Sequence, residues 1–354
     1  MAEVKSWVAG RAFPAELPLI DLSQAVPAYP PAPELRERLA SLVRRDDMSA
    51  YAPALGLPTT RASVAEHFGI AADHVMITAG CNQAFCLAIG VLCEPGDNVI
   101  LPVPYYFNHD MWLRANGVEA RYEMADAPAV VDGRTRAIVL VTPNNPTGVI
   151  ATSAEIAEQF DRARNHGIAL ILDETYKDFR PTADAAHDLF ARSDWDATLI
   201  QLFSFSKVFS LAGYRAGSLA AHPDVIAQAA KLADCQTIGA PRLAQEAVAW
   251  ALTNLAAWVD ARRIEMNDKV NAFRRAITGS PYELQSSGAY FAYLRHPHDA
   301  TARSVARRLA DDQHLLCIPG ECFGPGQRQH LRLAFGNATS DQMPEIARRL
   351  AASV

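Results

Sequence analysis

The sequence lacks long apolar runs, an excess of basic residues and a recognisable targeting segment. No apolar stretch approaches the roughly 20 residues that a transmembrane helix requires, and the N-terminus has no apolar core of the kind found in signal peptides. The formal net charge is −6 and the isoelectric point is about 5.9, so no nucleic-acid-binding surface is expected. We therefore expect a cytoplasmic protein that binds neither membranes nor nucleic acids.

The cysteines also lack a functional pattern. All 6 are scattered along the chain, without a CxxC pair and without a cysteine–histidine cluster of zinc-site spacing. Cys86 and Cys93 share one face of a predicted helix, but reduced core cysteines are the simpler interpretation. The sequence therefore predicts no metal site.

The chain itself predicts two domains and an arm. Its 354 residues exceed what one simple core usually serves. Between residues 60 and 204, short strands rich in β-branched residues and leucine alternate with helical periods, which indicates βαβ units and a mostly parallel sheet. A long helical stretch is then expected from Leu243 to Thr278. We predict an α/β fold with a large domain (41–245), a smaller α+β domain (246–354) and an N-terminal arm (1–40) that joins the small domain.

Polar clusters follow five of the predicted strands: TAGCNQ, PVPYYFNH, TPNNPTG, LDETYKDF and SFSKVFSLAGYRAG. Ligands of open α/β sheets bind beyond the carboxyl ends of the strands. Lys207 follows the apolar run TLIQLF, although lysine is rarely buried without a partner. Because a desolvated lysine amine is a nucleophile that forms Schiff bases with carbonyl compounds, Lys207 is the first candidate for chemistry.

A pyridoxal cofactor would need a phosphate cradle, an acid for its ring nitrogen and donors for its phenolic oxygen. Helix N-termini, hydroxyl groups and guanidinium groups suit a phosphate. The candidates for the cradle lie on two turns: Gly80, Cys81 and Asn82 on the first, and Ser204, Ser206 and Arg215 on the second.

The other two requirements also have candidates. Asp173 ends the strand IALIL, 34 residues before Lys207, and its carboxylate would pair with a pyridinium nitrogen. Tyr176 and Asn145 would supply the donors to the phenolic oxygen. Taken singly, each has a plainer interpretation, since Asp173 suits a helix N-cap, Tyr176 suits ordinary packing and Asn145 suits a turn.

In their order and spacing, NNPTG, DETYKDF, SFSKVFSLAGYRAG and HLRLAFG resemble the motifs of the fold-type I pyridoxal-phosphate aminotransferases of class I/II. The resemblance covers nearly the whole chain from about Leu19. It implies the fold of the type I PLP-dependent transferases, pyridoxal 5′-phosphate as cofactor, and a homodimer with shared active sites.

The resemblance also implies a role for each matching residue. Lys207 would form the Schiff base and move the substrate's Cα proton, and Asp173 would pair with the ring nitrogen. The family places an aromatic residue on the cofactor ring where Tyr106 lies, with Tyr105 as the alternative. Further cofactor contacts would come from Tyr176, Asn145, Ser204, Arg215, the amides of Cys81 and Asn82, and Tyr51 of the neighbouring subunit.

The predicted substrate contacts are Arg332, Asn145 and Ala25. Arg332, in HLRLAFG, resembles the arginine that grips the substrate α-carboxylate, whereas a surface ion pair would be its interpretation in isolation. Ala25 stands where the family often has glycine, so its methyl group would narrow the pocket slightly. Arg242 aligns poorly with the extra arginine of dicarboxylate-specific members. A broader or apolar substrate range is therefore expected.

The predicted function is transfer of an amino group between an L-amino acid and a 2-oxo acid. The alternative is a carbon–sulfur β-lyase, or other chemistry at the α-carbon, because the same motifs serve both reactions. A DNA-binding regulator built on this fold is a third hypothesis. Since only about 18 residues precede the resemblance, it is disfavoured.

Overall fold

The computed structural model describes all residues from Met1 to Val354. Strands and helices are numbered along the chain. The strands are β1 (Ile20–Asp21), β2 (Val75–Thr78), β3 (Asn98–Pro102), β4 (Glu119–Glu123), β5 (Thr135–Val141), β6 (Ala169–Asp173), β7 (Leu199–Ser204), β8 (Gly217–Ala220), β9 (Glu283–Gly288), β10 (Phe291–Arg295), β11 (Leu315–Leu316), β12 (Ile318–Pro319) and β13 (His330–Ala334).

The α-helices are α1 (Ala2–Ser6), α2 (Pro33–Val43), α3 (Pro58–Phe68), α4 (Cys81–Leu92), α5 (Phe107–Ala115), α6 (Ser153–Asn165), α7 (Pro223–Gln236), α8 (Arg242–Asn254), α9 (Ala256–Ala276), α10 (Ala302–Asp312) and α11 (Met343–Ala351). Short 3₁₀ helices cover Asp46–Ser49, Ala72–His74, Lys177–Phe179, Leu189–Ala191, Trp195–Ala197, Ala212–Tyr214, Gly320–Phe323 and Ser340–Gln342. None of the helices combines the length and the apolar character needed to cross a lipid bilayer.

The main sheet has 7 strands in the order β2-β8-β7-β6-β5-β3-β4. All neighbours from β4 to β7 pair in parallel, and β8 alone runs antiparallel to both of its neighbours. Helices cover both faces, which explains why the central strands β5, β6 and β7 are largely buried and mostly apolar. The expected mostly parallel sheet is thus confirmed.

Side chains of β6 alternate between the two faces of this sheet. Leu170 and Leu172 pack in the cluster that includes α6, whereas Ile171 packs with α4 and α7. The alternation continues past the strand, so Asp173 lies on the α4 side and Glu174 on the other. This separates two neighbouring carboxylates.

A second, antiparallel sheet in the order β12-β13-β10-β9 builds the C-terminal part together with α9, α10 and α11. The N-terminal arm joins it, because β1 pairs in parallel with β11 through Ile20 and Leu315. The predicted boundary between residues 245 and 246 falls inside α8. The domain limits therefore stay a prediction.

Sequence reasoning was wrong about the long helix and missed several strands. The helical stretch from Leu243 to Thr278 is two helices, because Leu255, with φ −114° and ψ 25°, leaves the helical conformation. At this break the Asn254 side chain donates to the Trp250 main-chain oxygen (2.7 Å). The missed strands β4 (EARYE) and β9 (ELQSSG) carry polar, partly exposed residues, and β8 (GSLA) has only one large apolar residue, Leu219. Such segments lack the apolar signal of a buried strand.

Candidate active site

The polar clusters at the strand ends converge on a cavity of about 100 Å³. It lies at the carboxyl edge of the parallel strands, as expected for this architecture. Most of the predicted cofactor contacts lie together here, and Val141 and Thr175 join them without having been predicted. The lining residues are Cys81, Asn82, Tyr106, Val141, Asn145, Asp173, Thr175, Tyr176, Ser204, Ser206, Lys207 and Arg215.

Lys207 reaches this cavity from the turn that follows β7. Its Nζ donates a hydrogen bond to the main-chain oxygen of Ala25 (3.0 Å), which belongs to the N-terminal arm. Burial lowers the pKa of the Lys207 amine to about 8, and the neighbouring cations Arg215 and Arg332 contribute. A substantial fraction of this amine is therefore neutral near physiological pH, as a nucleophile or base requires.

Asp173 is buried and held by three donors. Its Oδ1 accepts from the Thr175 amide (3.0 Å) and from the Cys81 thiol (3.5 Å), and its Oδ2 lies 3.4 Å from His109 Nε2. Burial raises the pKa of Asp173, but the contacts with His109 and Thr175 outweigh it and the net pKa is lowered. Asp173 is therefore ionised despite its dry surroundings.

His109 is a contact that sequence reasoning missed. It lies on α5, is buried, and stacks on Phe85 with ring centroids 4.0 Å apart. The string PYYFNH contains this histidine, but no spacing rule connects it with Asp173, which lies on another strand. Only the assembled sheet brings the two together.

The phosphate candidates form a crowded cradle around the start of α4. Gly80, with φ +89°, precedes the helix, and a methyl group there would collide with the Arg215 guanidinium. A Cβ at Gly217 would lie 2.7 Å from the Cys81 amide nitrogen. Ser206 Oγ is buried without a partner. Unfilled donors at a helix N-terminus, close to a guanidinium, fit a phosphate dianion.

Two adjacent tyrosines have different surroundings. Tyr106 lines the cavity, and its hydroxyl accepts a hydrogen bond from Asn108 Nδ2 (2.8 Å). Tyr105 lies outside the cavity and stacks on Tyr122, with ring centroids 5.2 Å apart. This placement favours Tyr106 over Tyr105, although stacking on a cofactor stays a prediction.

Arg332 is only 2% exposed, which excludes the surface ion pair considered for it. Its Nη1 donates to Asn145 Oδ1 (3.2 Å), its Nη2 donates to the Ser23 main-chain oxygen, and its Nε has no partner. The guanidinium lies 5.7 Å from the ring centroids of Phe291 and Phe323. A buried guanidinium with no carboxylate beside it is suited to an anionic ligand.

Main-chain oxygens of the N-terminal arm contact three side chains in and beside the site. The main-chain oxygen of Ala25 accepts hydrogen bonds from Lys207 Nζ (3.0 Å) and from the Tyr290 hydroxyl (3.2 Å). The main-chain oxygen of Ser23 accepts from Arg332. Two oxygens of the arm therefore contact the amine and the guanidinium that are predicted to act on the substrate.

Tyr51 does not line the cavity of its own chain. Its side chain is 76% exposed, and its main-chain oxygen accepts a hydrogen bond from Arg242 Nη2 (3.1 Å). The predicted contact with a neighbouring subunit's phosphate stays a prediction.

The NNPTG turn that carries Asn145 rests directly on β9. Gly148, with φ +71°, lies so close to Gly288 that a methyl group on either would collide with the main chain of the other. Ser286 Oγ also donates to the Thr147 main-chain oxygen (2.9 Å). Main-chain contact thus joins the two sheets beside the site.

The family model for class I and II aminotransferases matches residues 18–350. The chain belongs to this family. An aromatic aminotransferase of Arabidopsis thaliana is 27% identical over 375 aligned positions, which cover 99% of this chain and 92% of the relative. An arginine–pyruvate transaminase of Pseudomonas aeruginosa is 26% identical over 345 positions, which cover 91% and 86%. The predictions of family and of an enzyme that transfers amino groups are confirmed.

Solved structures agree with this aminotransferase in fold. A mutant aspartate aminotransferase of Thermus thermophilus superposes with a TM-score of 0.88 at 21% identity, covering 100% of this chain and 95% of the other. A methionine aminotransferase of Escherichia coli gives a TM-score of 0.87 at 23% identity, covering 99% and 96%. The predicted fold type I is confirmed.

Proposed function

We propose that this aminotransferase moves an amino group between an L-amino acid and a 2-oxo acid with pyridoxal 5′-phosphate as its cofactor. The observation that carries the proposal is the convergence of three groups on one site. Lys207 offers a partly neutral amine, Asp173 a buried ionised carboxylate and Arg332 a buried guanidinium without a counter-ion.

The cavity fits the cofactor by the chemistry of its donors. The unpartnered Ser206 hydroxyl, the Arg215 guanidinium and the first amides of α4 would hold the phosphate. Asn145 and Tyr176 would donate to the phenolic oxygen, and Tyr106 would lie on the ring. When bound, pyridoxal phosphate supplies an electron sink for the substrate carbon that loses its proton.

The side chains of this chain would then bind the substrate and move its proton. Arg332 would hold the α-carboxylate by two parallel hydrogen bonds, displacing the Ser23 oxygen that now occupies it. The Lys207 amine would take the proton from Cα and deliver it to the carbonyl-derived carbon C4′ of the cofactor, and taking it requires the neutral form of the amine. Asp173 would keep a proton on the ring nitrogen of the cofactor, because its own carboxylate stays ionised.

A broad or apolar substrate range is proposed over dicarboxylate specificity. Arg242, the one candidate for a second carboxylate-binding arginine, donates to the main-chain oxygens of Ala50 (3.4 Å) and Tyr51 (3.1 Å) and lies 3.7 Å from Asp47. Its guanidinium is therefore already engaged. Relatives named for aromatic and for arginine substrates show that the family accommodates varied side chains.

We further propose a cytoplasmic homodimer in which Tyr51 completes the partner's phosphate site. A tyrosine that is 76% exposed on the isolated chain supports this assignment, because large exposed aromatic residues are enriched at interfaces. Sedimentation of the holoenzyme would give its mass, and a monomer at micromolar concentration would contradict the proposal.

The test is the absorption spectrum of the purified protein with pyridoxal phosphate, recorded before and after each amino acid, without any 2-oxo acid. We expect the cofactor band to convert to that of the aminated cofactor, with one equivalent of 2-oxo acid formed. Lys207→Ala should lose turnover by at least about 100-fold while retaining part of its cofactor binding. A persistent band with accumulating pyruvate and ammonia would instead establish a β-lyase.

A further inference from the structure

Side chains from the arm and from α9 hold the main chain that carries Lys207. The Tyr29 hydroxyl donates to the main-chain oxygen of Lys207 (3.0 Å) and lies 3.2 Å from that of Val208. Trp258 Nε1 also donates to the Val208 oxygen (3.3 Å). No main-chain amide reaches the Val208 oxygen, so it relies on Trp258 and on the Tyr29 hydroxyl, whose single proton is shared between the oxygens of Lys207 and Val208.

The same turn is tied to the arm in the opposite direction. Ser210 Oγ donates to the main-chain oxygen of Tyr29 (2.7 Å). Ser210 itself has φ +54°, a left-handed conformation that residues other than glycine rarely adopt. Because this conformation is unfavourable alone, it persists where surrounding contacts fix it. Tyr29 thus contacts the turn both as a donor and as an acceptor.

The two aromatic side chains pack against each other, Tyr29 buried and Trp258 partly buried. Tyr29 is only 8% exposed and meets Trp258 edge to face, with ring centroids 5.8 Å apart. The Arg262 guanidinium lies 5.2 Å from the Tyr29 ring centroid and 4.6 Å from that of Trp258. The donors that hold the turn therefore have little freedom to move.

We propose that Tyr29 and Trp258 are positioning residues for Lys207, an inference that rests on the function proposed for that lysine. Neither side chain lines the catalytic cavity. They act through the main chain of residues 207 and 208, which sets where the flexible lysine side chain begins. Fixing the main chain at residue 207 keeps the amine inside the desolvated cavity and within reach of the substrate carbon.

The test compares Tyr29→Phe with the matched control Tyr282→Phe in the holoenzyme. Tyr282 is also buried, at 1% exposed, and its hydroxyl contacts Ser353 (2.8 Å) and His298 (3.3 Å), away from the cavity. Tyr29→Phe should lower kcat about 3- to 10-fold, the equivalent of one net hydrogen bond, with KM unchanged within about twofold. Both variants should lose similar thermal stability.

A second readout uses the apoprotein and does not depend on activity. The pH dependence of Lys207 labelling by acetic anhydride, followed by mass spectrometry, reports the pKa of its amine. In Tyr29→Phe this pKa should rise from its lowered value of about 8, because a loosened turn lets the amine reach water. In Tyr282→Phe it should not move. Trp258→Phe should change both readouts in the same direction but by less, since Trp258 holds only the Val208 oxygen.

The proposal is overturned if Tyr29→Phe behaves like Tyr282→Phe, with reduced stability but unchanged kcat and an unchanged labelling profile. That outcome would leave the proposed function intact, provided that Lys207→Ala is inactive. An active Lys207→Ala would instead contradict the proposed function itself.

Discussion

Two consecutive carboxylates, Asp173 and Glu174, have almost the same electrostatic setting on opposite faces of the sheet. Each is buried, and each has an oxygen 3.4 Å from the Nε2 atom of a buried histidine, His109 for Asp173 and His187 for Glu174. Burial raises the pKa of both carboxyls, and in both the histidine contact helps to lower the net value. Their pKa values alone would not tell the catalytic side from the other.

The two cavities that they line differ in what else is present. The cavity on the Glu174 side is larger, about 590 Å³ against about 100 Å³, and Gln201 donates to Glu174 Oε2 (2.5 Å) within it. Two of its three lysine and arginine side chains have a carboxylate partner, Lys177 with Asp178 and Arg263 with Asp260. Lys207 and Arg215 of the smaller cavity instead donate to main-chain oxygens only. Cations without a carboxylate partner, rather than cavity size or a shifted pKa, therefore distinguish the side proposed to be catalytic.

The largest contrast is expected in activity. Asp173→Asn removes the charge that would hold a proton on the cofactor's ring nitrogen, and kcat should fall about 10²- to 10³-fold, as for other preorganised electrostatic groups. Glu174→Gln keeps the shape on the opposite face and should stay within a few-fold of the parent. Steady-state kinetics of both variants measures the difference, and equal losses would refute the distinction between the two faces.

A smaller contrast is expected in the stability of the apoprotein at pH 7. Because the pKa of Lys207 is lowered to about 8 on folding, its charge costs stability below that pH. Lys207→Met should therefore raise the free energy of unfolding, by at most about 3 kcal/mol. Lys177→Met, which removes a lysine paired with Asp178 on the other face, should not stabilise the protein. Urea denaturation compares the free energies of unfolding of the two variants. A destabilised Lys207→Met would show that burying the Lys207 amine does not cost the fold stability.

The smallest effect concerns acid unfolding, where the two carboxylates should behave alike. Since folding lowers both pKa values, each ionised group stabilises the fold above its unfolded pKa of about 4, and this stability is lost as the pH falls. Asp173→Asn and Glu174→Gln should each reduce proton uptake on unfolding by up to about one proton. Denaturation between pH 5 and pH 2, roughly the range of these titrations, measures it. If proton uptake fell in only one of the two variants, the two carboxylates would not be electrostatically equivalent.

The cavity residues that were predicted from the sequence share one property. Each belongs to a short motif that can be recognised without knowing its distant partners. Lys207, Asp173 and Asn145 stand at strand ends in recognisable strings, and the parallel sheet brings those ends together. His109 and Tyr29 escaped prediction because their partners lie far away in the chain. A histidine on a helix, or a tyrosine in a proline-rich arm, has nothing beside it that indicates its partner.

Those parts of the fold whose signal is local in the sequence were also predictable, and those that depend on distant partners were not. Buried central strands such as β5 and β6 carry continuous apolar runs, AIVLV and ALIL, which single them out. The edge strand β4 and the small-domain strand β9 owe their conformation to pairing with a neighbour, so their polar sequences gave no signal. The break between α8 and α9 lies at a single residue, Leu255, which is neither glycine nor proline and so carries no signal of a helix end.

The contact between Gly148 and Gly288 fixes a dimension of the substrate site. It leaves no room for a side chain between the turn that carries Asn145 and the sheet that carries Arg332. The two side chains meet at 3.2 Å across that seam. Their separation is thus set by the thickness of two main chains in contact, and a side chain added at either glycine would push the two sheets apart.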